Sequence, residues 1–79
     1  MSQVQFERIS VDHTIMGGVP CIRGTRIPAA TVVGMVAEGM SVDQIIIDFP
    51  QLVVEDIQDA LRLAAAAVDE RRLPLRESA

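Results

Sequence analysis

A chain of 79 residues with a net charge of −4 has room for one hydrophobic core, because a domain this small buries only about 60% of the surface its unfolded chain exposes. A single cysteine excludes an internal disulfide, one cysteine with one histidine makes a poor metal site, and the lack of any lysine excludes a surface that draws nucleic acid by bulk positive charge. The apolar share is 49% with no Trp or Tyr and two Phe, so the core is expected to be aliphatic and the stability low enough to favour oligomerisation.

No apolar run reaches the roughly 18 residues of a membrane span, and residues 1–12 lack the basic start and apolar stretch of a signal peptide. The expectation is a cytoplasmic protein with no membrane partner. Charge is unevenly spread: residues 1–40 set Glu7, Asp12 and Glu38 against Arg8, Arg23 and Arg26, while residues 41–79 carry eight acids against Arg62, Arg71, Arg72 and Arg76. An anion-binding face would therefore use the N-terminal arginines or the tail.

Residues 4–11 alternate as a short edge strand, with Val4, Phe6 and Arg8 on one face and Ile9 and Val11 on the other. Gly17, Gly18 and Pro20 mark a turn, after which Cys21–Arg23 and Thr25–Ile27 read as extended pieces broken at Gly24. Two strands this short cannot bury themselves, so the segment must pack on helices or pair its edge with a second copy.

Pro28 sits where a helix can begin, and residues 28–38 follow as that helix, with Val32, Val33, Met35 and Val36 as its apolar stripe and Gly39 as its left-handed end. Ser41 with Gln44 fits a capping box, and Met40 with Ile45 a hydrophobic staple, so a second helix opens at Ser41 and ends near Asp48 before Pro50. The third runs from near Val53 to about Arg71, burying Ile57, Ala60, Leu61, Ala64 and Val68. Glu55 and Asp56 near its start and Arg71 and Arg72 near its end agree with the helix dipole. A loose tail completes the chain. The division is an N-terminal β segment and turn over 1–27, a three-helix unit over 28–71, and a tail over 72–79.

A short capped helix, a turn around Pro50 and a longer helix have the shape of a helix-turn-helix. The stretch from Gly17 to Leu61 carries more than shape. Gly17-Gly18-Val19-Pro20-Cys21-Ile22-Arg23-Gly24-Thr25-Arg26-Ile27-Pro28, then Glu38-Gly39-Met40-Ser41 with Gln44-Ile45, Asp48-Phe49-Pro50-Gln51-Leu52, and Glu55-Asp56-Ile57 with Ala60-Leu61, occur in one order and spacing. This pattern resembles the family catalogued as domain of unknown function 433, related to VapB-type antitoxins. The resemblance implies a mainly α, homeodomain-like helix-turn-helix domain with a short N-terminal β segment paired across a homodimer. It also implies a partner toxin with a PIN-like nuclease fold. Val19 departs from the family's usual lysine, His13 from a proline, and Val53 from the Thr or Ser that often caps the third helix. The last change is expected to weaken that helix start by about 1 kcal/mol.

Arg23 and Arg26 around Gly24-Thr25 have two readings: guanidinium forks presented to phosphate or a partner's carboxylates, or a tight turn in which one of them pairs with Asp48 or Asp12. A recognition-helix role would bring Gln51, Glu55, Gln58 and Arg62 nearest to DNA, with Glu55, Asp56 and Asp59 repelling its phosphates. Arg71, Arg72, Leu73, Leu75 and Arg76 suit a segment that orders on a partner, or a frayed end. Cys21 reads as a small apolar residue and His13 as a turn residue, not as nucleophile and base. The alanine run 64–67 reads as a packing face.

The expected function is that of an antitoxin-like component that neutralises its toxin by protein–protein binding and binds operator DNA, without enzymatic activity, cofactor, metal or small-molecule substrate. The alternative is a dimeric adaptor whose helix-turn-helix is a scaffold with no nucleic-acid role.

Overall fold

The computed structural model describes residues 6–14 and 16–70. Strand β1 (Ile9–Ser10) pairs antiparallel with β2 (Cys21–Ile22), Ile9 opposite Ile22 and Ser10 opposite Cys21. Helices α1 (Ala29–Ala37), α2 (Val42–Asp48) and α3 (Val54–Glu70) follow. The molecule is thus a mainly helical domain with a two-stranded antiparallel segment.

The long strand expected over 4–11 shrinks to two described residues, because Phe6 to Arg8 form a turn in which the Ile9 N–H donates to Phe6 O at 2.9 Å. Val4 lies outside the described residues. The Arg23 N–H donates to Arg8 O at 2.8 Å. By the alternation of antiparallel ladders that bond turns the N–H and C=O of Ile9 away from β2. Both outward groups are already taken, the carbonyl by Arg23 Nη2 at 2.9 Å. The far side of β2 is closed too, since the Ile22 N–H donates to Ile27 O and the Ala29 N–H to Pro20 O, each at 2.9 Å. The edge expected to offer itself to a second copy is therefore blocked at Ile9 by its own chain.

Pro28 is the residue before α1 and not its first turn: it is extended (φ −63°, ψ 142°) and closes an isolated bridge with Cys21. At the other end the Gly39 N–H reaches Val36 O and the Met40 N–H reaches Met35 O, the paired bonds of a Schellman ending, with Gly39 at φ +95°. Ser41 caps α2 by accepting the Gln44 N–H at 3.1 Å. The reciprocal half of the box does not form, because the Gln44 amide reaches forward to Asp48 at 3.3 Å. At α3 the halves are reversed: Val53 has no side-chain oxygen to offer, but Asp56 accepts the Val53 N–H at 2.9 Å. That bond offsets part of the missing cap.

The core is aliphatic: Ile9, Ile22, Ala29, Val32, Ile45, Leu52, Ile57 and Ala60 are buried together, with Phe6 and Phe49 at its margin. Val68, expected in the buried stripe of α3, is 63% exposed. Helix length explains the difference. The nine residues of α1 span about 13 Å and the seventeen of α3 about 25 Å, so the last turns of α3 run past the helix they pack against.

Candidate functional site

The turn after β2 is built as architecture. Gly24 holds φ +83°, a left-handed conformation that favours glycine. The Thr25 hydroxyl donates to Ile22 O at 2.8 Å and accepts the Ile27 N–H at 2.9 Å, tying both ends of the turn. Arg23 folds back onto β1, its Nε donating to Glu7 O at 2.7 Å and its Nη2 to Ile9 O at 2.9 Å. The tight-turn reading holds for Arg23, but its partners are backbone carbonyls and not the expected carboxylates. Those two acids have other partners: Asp12 accepts the Thr14 N–H at 2.9 Å and hydroxyl at 2.6 Å, and Asp48 the Gln44 amide. The Thr14 hydroxyl, and then its N–H, hold the Asp12 carboxyl below the ordinary carboxylate range.

Arg26 is exposed and lines a shallow depression with Ser10, Asp12, His13 and Thr14. His13 lies against Gly18, where an added Cβ would come within 3.0 Å of its Nδ1. Cys21 is 3% exposed and its thiol donates to Val19 O at 3.4 Å, which fits the reading of a small buried residue. Among the described residues no group of three or more His, Cys, Asp and Glu is placed to hold a metal, and no helix is long and apolar enough to cross a membrane.

The first half of α3 corrects the expected charge pattern. Asp56 and Asp59 do not face outward: they are 6% and 9% exposed and turn toward the N-terminal segment. Arg8 Nε donates to Asp56 at 2.8 Å, the Arg8 N–H donates to Asp59 at 3.1 Å, and Arg62 Nη1 donates to Asp59 at 2.7 Å. The hydrogen bond and charge of Asp56 raise the Arg8 guanidinium further above its ordinary value, so it stays charged throughout the working pH range. Of the three carboxylates expected to repel DNA, Glu55 alone is exposed.

Gln58 and Arg62 share a shallow polar depression of about 330 Å³ with Glu7, Arg8 and Glu55. Gln51 is exposed in the turn before α3, and Arg26 belongs to the separate depression beside His13. The structure therefore joins two of the five DNA-contact candidates, Gln58 and Arg62, while Arg23 holds its own β segment. The partner-contact candidates Arg71, Arg72, Leu73, Leu75 and Arg76 lie outside the described residues.

Two surfaces were not expected from the sequence. Ile47, Val53 and Val54, on either side of the Pro50 turn, are 69%, 42% and 41% exposed. A groove between α1 and α3 is lined by apolar and small residues. Ile47 stands in an unbroken Ile45-Ile46-Ile47 run, where periodicity alone does not say which isoleucine faces out.

A sequence model of the family described as "Protein of unknown function (DUF433)" matches residues 9–64. An uncharacterized protein, y4eO of Sinorhizobium fredii, is 34% identical over 70 residues, which cover 89% of this chain and 29% of that protein. A crystal structure of a DUF433 member protein from Anabaena variabilis superposes with a TM-score of 0.72 at 27% identity, over 80% of this chain and 62% of that one. The chain thus spans under a third of one relative and under two thirds of the other.

Proposed function

This chain belongs to the DUF433 family, and from that premise we propose that it is an antitoxin-like binding domain: a cytoplasmic homodimer that neutralises a PIN-like toxin by protein–protein contact and performs no catalysis. One observation carries the reading. Ile47, Val53 and Val54 stand exposed around the turn between α2 and α3, with Asp43, Asp48 and Glu55 exposed on the same two helices. Aliphatic side chains beside carboxylates suit a protein surface with apolar and basic groups. They suit the phosphate backbone poorly. With the outward groups of Ile9 occupied, strand addition does not supply the dimer contact in this proposal, and helix surfaces do.

Operator binding is a second reading with an observation of its own. Asp56 and Asp59 are neutralised internally, so α3 presents Gln58 and Arg62 with Glu55 as the one exposed acid of its first half. Glutamine and arginine are able to read base edges.

The test is co-expression of the full chain with the product of the adjacent gene, followed by pull-down. Retention that is lost in Ile47→Asp and Val54→Asp supports the proposal. A well-folded chain that retains no neighbour-encoded protein, or an adjacent gene with no nuclease-like product, favours the dimeric adaptor. A mobility shift with the chain's own promoter at low salt decides the operator reading.

A further inference from the structure

The loop after β1 and the turn after β2 border an open depression of about 880 Å³. Asp12 and His13 line it from the first segment, Gly24 and Arg26 from the second. The residues of the turn have structural duties, with one exception. Arg23 holds two carbonyls of the N-terminal segment, Thr25 ties the turn at both ends, and Gly24 supplies the left-handed φ. Arg26 is exposed, and its guanidinium makes no hydrogen bond or ion pair among the described residues.

Two further donors belong to the same turn. The Thr25 N–H is used within it, donating to Ile22 O at 2.9 Å, but neither the Gly24 nor the Arg26 N–H has an acceptor among the described residues. An added Cβ at Gly24 would meet nothing within 4 Å, so a visiting group can come close to this stretch of backbone. The other segment offers an acceptor. Thr14 donates both its N–H and its hydroxyl to Oδ1 of Asp12, and Oδ2 has no partner among the described residues.

We propose that this depression is a docking site for an acidic peptide segment of a partner protein, whose Asp or Glu carboxylate pairs with Arg26 while a neighbouring backbone N–H donates to Asp12. A guanidinium presents a planar fork that matches a carboxylate. A nucleic-acid backbone fits worse, because a phosphodiester brings acceptors and negative charge and no donor. Asp12, held ionised by Thr14, would face it as a like charge. A free small carboxylate also fits worse. Asp12, His13 and Arg26 are all exposed, so the depression does not enclose most of a small molecule as ligand clefts do, whereas a peptide on a protein brings its own surface to exclude water around the ion pair.

The inference assigns Arg26 to a protein contact instead of DNA. It does not use the aliphatic patch around the Pro50 turn, so it stands or falls apart from the antitoxin reading.

The experiment is a titration of the full chain followed by NMR of its backbone amides and arginine Nε–H groups. The probe is a capped Ala-Val-Glu-Val-Ala peptide at millimolar concentration, compared with the same peptide carrying Gln for Glu, with free succinate and with a single-stranded oligonucleotide. The Glu peptide is expected to shift the Asp12, Gly24 and Arg26 amides and the Arg26 Nε–H. Binding about tenfold weaker is expected for the Gln peptide and for Arg26→Gln, with Arg26→Lys in between. Arg26→Gln is expected to leave the thermal unfolding midpoint unchanged. The absence of shifts at these groups, equal binding by Arg26→Gln, or a lowered midpoint that reveals a structural duty for Arg26 would each overturn the proposal. So would succinate binding there as tightly as the peptide, which would assign the site to a free carboxylate, or the oligonucleotide binding there more tightly, which would assign it to phosphate.

Discussion

Arg8 and Asp56, separated by 48 positions, meet at 2.8 Å between Nε and Oδ1, and the other oxygen of the same carboxylate accepts the Val53 N–H at 2.9 Å. One carboxylate thus anchors the N-terminal segment to α3 and completes the start of that helix. The two duties predict unequal costs. Asp56→Ala is expected to lose about 2 kcal/mol by urea denaturation, because a buried acceptor with two partners disappears. Arg8→Ala, whose side chain is 43% exposed, is expected to lose clearly less, because solvent screens an exposed guanidinium. Equal losses would show that Val53 gains nothing from Asp56.

Arg23 separates the architectural and phosphate-binding readings of its turn. Lysine keeps the charge but cannot donate to the Glu7 and Ile9 carbonyls together as the guanidinium fork does. Arg23→Lys is therefore expected to lower stability by about 1 kcal/mol, with no change in any affinity for DNA. Unchanged thermal unfolding together with weakened DNA retardation would reverse the assignment.

Two glycines should respond oppositely to alanine. Gly34 lies inside α1 with nothing within 4 Å of an added Cβ, so Gly34→Ala is expected to stabilise by about 0.5–1 kcal/mol. Gly39 holds φ +95° in the Schellman ending, so Gly39→Ala is expected to destabilise by about 1 kcal/mol or more. Calorimetric melting of both variants checks the pair of signs.

The caps yield a further expectation. Ser41→Ala removes the oxygen that accepts the Gln44 N–H and is expected to cost about 1 kcal/mol. Gln44→Ala, whose side chain reaches forward to Asp48, should cost little. Parallel denaturant titrations distinguish them, since a true reciprocal box would make the two losses similar.

Asp12 sets a pH dependence for the loop after β1. Its carboxyl is held below the ordinary range by Thr14, so the loop's stabilisation is full above the unfolded value of about 3.9. It is lost as pH falls through the lower folded value. The Thr14 amide shift should titrate with that depressed midpoint, and Asp12→Asn should remove the titration.

Local rules carried the helices. Pro28, Gly39, Ser41 and Pro50 act within a few residues of themselves, so α1 and α2 were legible to within a residue or so of their ends. Length and contact order hid the rest. Val68 follows the same helical period as Ile57 and Ala60, yet it is exposed on a helix about 12 Å longer than α1. Asp56 and Asp59 read as ordinary acids at a helix start, because their partner, Arg8, belongs to a distant segment that sequence periodicity cannot align with α3. The same gap hid the partners of Arg23, which are backbone carbonyls and carry no side-chain signature at all.

Closure around Ile9 has a bearing on behaviour at high concentration. Bare strand edges recruit extended segments from passing molecules and seed cross-β growth. Here a newcomer meets a guanidinium and a turn where it would need open amides and carbonyls. A second molecule arriving at Ile9 thus finds no free backbone pair to extend, and the two-stranded segment offers no template there for fibre growth.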